Sequence, residues 1–135
     1  MMERRFRREF GSLDAIFAFI REFFSSRGID ERHAYDVDLM AEELFTNMVK
    51  YGRGSGDGIE VGLSWERPTL TLRLRDFGAE DWDVTRARPV DVDAPLEQRR
   101  AGGLGLHLVR QIADRVDYAY ADRSSTITIT KRLES

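Results

Sequence analysis

The chain has 135 residues, the size of one ordinary domain, and its 41% hydrophobic share is sufficient for a packed core. Its net charge of −3 favours neither nucleic acid nor an acidic membrane surface as a partner, and no apolar run is long enough to span a bilayer. The absence of cysteine excludes disulfides and thiolate zinc sites, and together with the lack of a signal-peptide pattern it predicts a cytoplasmic protein.

The N-terminal part of the sequence predicts a strand followed by two amphipathic helices. Charged and aromatic residues alternate over Glu3–Phe10, which indicates an edge strand whose arginines are solvated. Ser12 is the expected N-cap of the first helix and Gly28 its expected C-cap. A second helix is predicted from Asp30 or Glu31 to Tyr51. Its apolar stripe comprises Val37, Met40, Ala41, Leu44, Phe45, Met48 and Val49.

Two hairpins and a third helix follow a glycine-rich turn. Alternating apolar residues predict strands around 61–65 and 70–74, with Pro68 in the turn, and a second pair around 116–120 and 126–130. Residues 77–102 show no periodicity, which is typical of a functional lid or a disordered segment, and the third helix starts at Gly103–Gly105. This order predicts a single domain over residues 1–135 of class α+β, a two-layer α/β sandwich with three main helices on one face of a mostly antiparallel sheet.

The second helix carries a first group of residues suited to chemistry. Glu43 and Asn47 are four residues apart and therefore lie on one face, with Lys50 about one turn further on. A carboxylate beside an amide oxygen suits a hydrated hard cation, and the carboxylate could also deprotonate a hydroxyl or a water. The alternative is an ordinary solvated helix face, and the spacing alone does not decide against it.

Two further groups flank the long loop. Asp76 ends a strand, where its carboxylate can accept a hydrogen bond from an exocyclic amine, and Gly78 allows close backbone approach; the alternative is a plain turn. At the start of the third helix, free N–H groups and the helix dipole favour a phosphate over the alternative of a flexible hinge. The residues there are Arg99, Arg100, Gly102, Gly103, Leu104, Gly105 and Leu106.

The order of these three groups resembles the GHKL ATP-binding superfamily and, within it, the bacterial anti-sigma-factor serine/threonine kinases. The resemblance covers nearly the whole chain. Glu43-Leu-Phe-Thr-Asn47 is similar to the N-box of that family, Asp76-Phe-Gly78 to its first glycine box and Gly103-Leu-Gly105 to its second. Residues 93–97 are similar to the lid of this subgroup, and residues 126–133 to its closing strand.

The resemblance implies ATP and Mg²⁺ as cofactors and assigns roles to individual residues. Asn47 would coordinate Mg²⁺, and Glu43 would be the general base that deprotonates a serine or threonine hydroxyl of a partner protein. Asp76 would bind the adenine amino group beside Gly78. Thr126 or Thr128 would support the adenine through water. The phosphate contacts would come from the N–H groups of Gly103 and Gly105 and from Arg100, with Arg99 as the alternative.

The resemblance further implies a cytoplasmic protein serine/threonine kinase that is also an anti-sigma factor in a partner-switching circuit. Its expected partners are a STAS-domain antagonist, phosphorylated on a serine, a sigma factor and, in a homodimer, a second copy; neither nucleic acid nor membrane is expected to bind directly. The alternative is a non-catalytic module that binds ATP and uses the order of its lid to choose a partner. Glu43 favours the kinase. Glu80 favours the module, because it replaces a lid glycine of the family and predicts a stiffer hinge.

Overall fold

The structure of the chain, a computed structural model, describes residues 1–51, 58–77 and 104–133. Its strands there are β1 (Met2–Phe6), β2 (Ile59–Glu66), β3 (Thr69–Phe77), β4 (Arg115–Ala121) and β5 (Ser124–Arg132). The α-helices are α1 (Leu13–Arg27), α2 (Ala34–Tyr51) and α3 (Leu104–Ile112), and 3₁₀ turns precede α1 at Phe10–Ser12 and α2 at Glu31–His33. The strands form one antiparallel sheet in the order β1-β2-β3-β5-β4. The predicted α+β fold is therefore confirmed.

The core lies between one face of the sheet and the helices. Along β3 every second side chain is buried, so the leucines face the helices while the arginines between them face the other side. The apolar faces of α1 and α2 are buried in this core, with α1 packed against β1 and β2 and α2 packed against β3. The fully buried members are Ile16, Phe19, Ile20, Phe23 and Phe24 of α1 and Val37, Met40, Ala41, Leu44 and Phe45 of α2.

The opposite face of the sheet is polar. Arg73 Nη2 donates hydrogen bonds to Glu3 Oε2 at 2.9 Å and to Glu60 Oε1 at 3.2 Å, which links β1, β2 and β3. Such partly exposed ion pairs contribute little stability individually, but they compensate the charges on this face. The antiparallel sheet therefore has one packed and one solvated face. In the described part of the chain, no helix has both the length and the apolar character to cross a membrane.

The segment before α1 differs from the prediction. β1 ends at Phe6 instead of Phe10, because the chain turns there: the Glu9 N–H donates to the Arg7 carbonyl at 2.8 Å, and a 3₁₀ turn follows. Ser12 stands at the N-cap position, but its hydroxyl donates to the Arg7 carbonyl at 2.8 Å and caps no helix N–H. The 3₁₀ turn runs directly into α1, so Ser12 is already helical (φ −71°, ψ −13°) and lacks the extended backbone of an N-cap.

The start of α2 is close to the predicted position. The Asp30 carboxylate accepts a hydrogen bond from the Arg32 N–H at 2.9 Å, which caps the 3₁₀ turn, and regular helix begins at Ala34. Two hydrogen bonds of 3.0 and 2.6 Å join Arg21 to Asp38 and connect α1 to α2. The hydrogen bond to Asp38 raises the pKa of Arg21.

Gly28 ends α1 in the left-handed conformation (φ 67°), as predicted. A Cβ at this position would meet no atom within 4 Å, so any cost of a side chain comes from the backbone alone. We expect Gly28→Ala to lower the free energy of unfolding by about 1–2 kcal/mol. A Cβ added at Gly11 would also meet open space, but Gly11 has no positive φ. Gly11→Ala should therefore change the free energy of unfolding by less than about 0.5 kcal/mol. Urea denaturation measures both values, and equal losses would contradict the backbone explanation.

Candidate functional site

Glu43 and Asn47 lie on a flank of α2, beside its fully buried stripe. Both side chains are half-buried, whereas Glu42 and Lys50 are exposed. The flank belongs to a helix that packs against both α3 and β3. The difference in burial between Glu43 and Glu42 is the one that helical spacing predicts. The Glu43 carboxylate and the Asn47 amide are partly exposed, so a ligand could contact both.

Asp76 is the last residue of β3 that faces the helices, and it is only 1% exposed. It continues the row of buried leucines, so its carboxylate lies in the layer between the sheet and the helices. Arg8 meets it with both terminal nitrogens: Nη1 donates to Oδ2 at 3.0 Å, and Nη2 contacts Oδ1. Arg8 Nη1 also donates to the Met48 carbonyl oxygen at 3.0 Å. One guanidinium group therefore contacts both oxygens of the carboxylate and the backbone of α2.

These contacts bring two of the three predicted groups together. Met48 directly follows Asn47, so Arg8 connects the end of β3 to the part of α2 that carries Asn47. Burial lowers the pKa of the Arg8 guanidinium. An arginine pKa starts so high that the group stays charged at neutral pH, and the carboxylate of Asp76 compensates that charge.

Arg8 is the residue of the candidate site that the sequence did not predict. It belongs to the arginine cluster that was expected to be solvated, and Arg4, Arg5 and Arg7 are indeed exposed, but the Arg8 side chain is only 13% exposed. The available signal is the alternation of β1. Phe6 faces the helices, and a period of two places Arg8 on the same side, even though the strand itself has ended.

The third predicted group begins α3. The helix starts at Leu104, inside the predicted glycine segment, and the N–H groups of Leu104, Gly105 and Leu106 belong to its first turn. Such groups lack acceptors within their own helix and lie at the positive end of its dipole. Because α3 packs against α2, the three groups are contributed by neighbouring elements. Gly78, Glu80, Arg99, Arg100, Gly102 and Gly103 lie outside the described residues, as does most of the predicted lid over 77–102, and their roles stay predictions.

The roles expected for Thr126 and Thr128 are wrong in register. In β5 they pair with Arg75 and Arg73, on the sheet face that points away from the helices. Thr126 Oγ1 accepts a hydrogen bond from Arg75 Nε there, at 3.2 Å. A side chain on that face cannot reach the carboxylate of Asp76, because the sheet lies between them.

Ser125 occupies the position that the threonines were expected to fill. It pairs with Asp76 across the two strands, faces the helices and is 3% exposed. Its Oγ lies 3.3 Å from the Tyr118 hydroxyl oxygen, so the polar group is held in place. The alternation with the buried Ile127 and Ile129 is the sequence signal for this assignment, because residues two apart share a face.

The oxygen donors on α2 fit a hydrated Mg²⁺ that binds together with a nucleotide. Mg²⁺ usually takes one or two protein oxygens in such sites and fills its other positions with water and phosphate oxygens. Asn47 and Glu43 offer oxygens of this kind. No group of three His, Cys, Asp or Glu side chains that could hold a metal occurs among residues 1–51, 58–77 and 104–133.

Comparisons with known proteins identify the family of the chain. Residues 6–131 match the family described as "Histidine kinase-like ATPase domain". The chain is 32% identical over 112 residues to "Serine-protein kinase RsbW" of Listeria monocytogenes serovar 1/2a, which covers 79% of this chain and 71% of the relative. It is 26% identical over 117 residues to the protein of the same name from Staphylococcus aureus (strain JH9), covering 82% of this chain and 73% of the relative. The chain therefore belongs to the family of histidine kinase-like ATPase domains and is RsbW-like within it.

Proposed function

We propose that the chain is an ATP-dependent protein serine/threonine kinase that also acts as an anti-sigma factor. The observation that carries the proposal is the Arg8 bridge, because it joins the backbone beside Asn47 to the carboxylate of Asp76. The bridge supports one site that contains the groups suited to a metal and to a purine amine, and α3 would border this site through its packing on α2. The kinase names of the relatives support the class of reaction.

ATP would lie across these three elements. Asp76 would accept a hydrogen bond from the adenine amine, with Gly78 beside the base. Asn47 would hold Mg²⁺, and the exposed Lys50 in the last turn of α2 would approach the phosphates. The remaining phosphate contacts would come from Arg100 and from the N–H groups of Gly102, Gly103, Leu104, Gly105 and Leu106.

Glu43 would act as the general base for transfer to a partner protein. The hydroxyl oxygen of a partner serine attacks the γ-phosphorus, the bond from that phosphorus to the β–γ bridging oxygen breaks, and ADP leaves with the bonding electrons. The hydroxyl proton passes to the Glu43 carboxylate. Half-burial on the flank shared with Asn47 supports this role, because the base then lies near the metal-binding side of the site.

The partner that we propose is a STAS-domain antagonist in the cytoplasm. Phosphorylation of one of its serines would release it and leave this protein free to hold a sigma factor. Incubation with γ-labelled Mg-ATP and candidate STAS-domain proteins tests the proposal. We expect label on a serine of one candidate and none when that serine is replaced by alanine. ATP binding without transfer to a candidate that co-purifies with the protein would favour the non-catalytic module, and a lack of ATP binding would contradict both functions.

Asn47→Ala is expected to weaken ATP binding about 10- to 100-fold in the presence of Mg²⁺, because a contact to a charged group contributes about 1.5–3 kcal/mol. In the presence of a chelator the variant and the wild type should bind ATP equally. Thr46→Ala is the matched control, since Thr46 is the adjacent residue and is also half-buried. Titration calorimetry of the wild type and both variants, with and without Mg²⁺, measures the six affinities. Equal Mg-dependent affinities of Asn47→Ala and wild type would refute the metal assignment.

A further inference from the structure

The contact between Arg8 and Asp76 is more specific than charge neutralisation requires. The guanidinium contacts both carboxylate oxygens, and the same Nη1 that donates to Oδ2 at 3.0 Å also donates to the Met48 carbonyl at 3.0 Å. A planar fork on a carboxylate fixes the plane of the carboxylate as well as its distance. The arrangement therefore determines the direction in which the remaining lone pairs of Asp76 point.

We propose that Arg8 is a positioning residue that holds the Asp76 carboxylate in the orientation needed to accept a hydrogen bond from the exocyclic amine of adenine. This inference rests on the proposed ATP site. A carboxylate has about four lone-pair sites. Arg8 Nη1 donates to Oδ2 and Arg8 Nη2 contacts Oδ1, and the remaining lone pairs would accept a hydrogen bond from a base.

Burial explains why Asp76 needs such a partner. A carboxylate that is only 1% exposed has lost most of its hydration, and an unpaired charge in that position is costly. Without the guanidinium the carboxylate would be an uncompensated buried charge with its plane no longer fixed, so it would not present an acceptor in a defined direction.

The backbone of α2 fixes Arg8 in turn. Met48 lies in the last turn of α2, where carbonyl groups run out of amide donors from their own helix and a cation is favourable. Lys131 makes a contact of the same kind at the end of α3, where its Nζ donates to the Ile112 carbonyl at 2.8 Å. Through Arg8, the helix that carries Asn47 would therefore also fix the position of the Asp76 carboxylate, the proposed acceptor for the adenine amine.

The test compares the affinities for ATP and for purine riboside 5′-triphosphate, which lacks the exocyclic amine. We expect the wild type to favour ATP about 10- to 100-fold, as for a hydrogen bond to a charged acceptor. Arg8→Met should reduce this preference to less than about threefold, close to the value of Asp76→Ala. Arg8→Lys, which keeps the charge but lacks the fork, should lie in between. Arg7→Met is the control, because Arg7 is exposed and its loss should leave the preference unchanged.

The ratio of the two affinities separates positioning from support of the fold. A partly unfolded sample weakens both apparent affinities by the same factor, so the ratio is unaffected. An unchanged ratio in Arg8→Met would overturn the inference, and if that variant does not fold, an unchanged ratio in Arg8→Lys overturns it. A wild-type ratio near one, or an unchanged ratio in Asp76→Ala, would instead overturn the adenine site of the proposed function and the role of Arg8 with it.

Discussion

Replacement of Glu43 by glutamine should slow phosphoryl transfer to the partner serine by about 10²- to 10⁴-fold and leave ATP affinity nearly unchanged. Glutamine keeps the size of the side chain and its hydrogen-bonding oxygen, but it cannot accept the hydroxyl proton. We expect a catalytic loss without a binding loss because the proposed role of Glu43 is to accept a proton, whereas Asn47 on the same flank of α2 is the proposed ligand of Mg²⁺.

The neighbouring carboxylate provides a control for this result. Glu42 carries the same charge one position earlier and is exposed, so Glu42→Gln should transfer phosphate at the wild-type rate. Single-turnover assays with labelled ATP and the partner measure transfer, and a parallel titration measures affinity. Similar transfer rates for Glu43→Gln and wild type would remove Glu43 as the base and would favour the non-catalytic module.

Arg8→Met should lower the free energy of unfolding by about 3–5 kcal/mol, the usual cost of removing one partner of a buried ion pair. The loss arises because Asp76 keeps its charge in a position that is almost fully buried and because the Met48 carbonyl loses its donor. Arg7→Met removes the same charge from an exposed position and should cost less than about 0.5 kcal/mol.

A double variant shows whether the cost belongs to the pair. In Arg8→Met with Asp76→Leu both charges are absent, so the double variant should be more stable than Arg8→Met alone. Urea denaturation of the wild type, both single variants and the double variant measures the coupling. If the two single losses simply add in the double variant, the buried pair is not the source of the effect.

Much of the fold could be predicted because hydrophobic periodicity depends on local sequence. The stripes of α1 and α2 and the alternation in β3 and β5 each identify an element and its buried face. The same periodicity distinguishes Glu43 from Glu42, since one position along a helix turns the side chain by about 100°. These features can be predicted without knowledge of the tertiary contacts.

The contacts of the site could not be predicted in the same way. Arg8 and Asp76 are 68 residues apart in sequence, and nothing local indicates that the turn after β1 passes the end of β3. An arginine in a basic cluster is usually solvated, so the composition of this segment wrongly predicted a solvated Arg8. The threonines of β5 show a different error: the strand was identified, but a slip of one residue exchanges the two faces, and Ser125 rather than Thr126 faces Asp76.

Amide chemical shifts of the ¹⁵N-labelled protein during titration with a non-hydrolysable Mg-ATP analogue test the central claim most directly. The claim is that α2, the end of β3 and the start of α3 form one nucleotide site. We predict saturable shifts that are largest at Asn47, Asp76 and Gly105, with little change in the turn between α1 and α2 at residues 28–33. The absence of saturable shifts, or shifts concentrated in that turn instead, would contradict the claim.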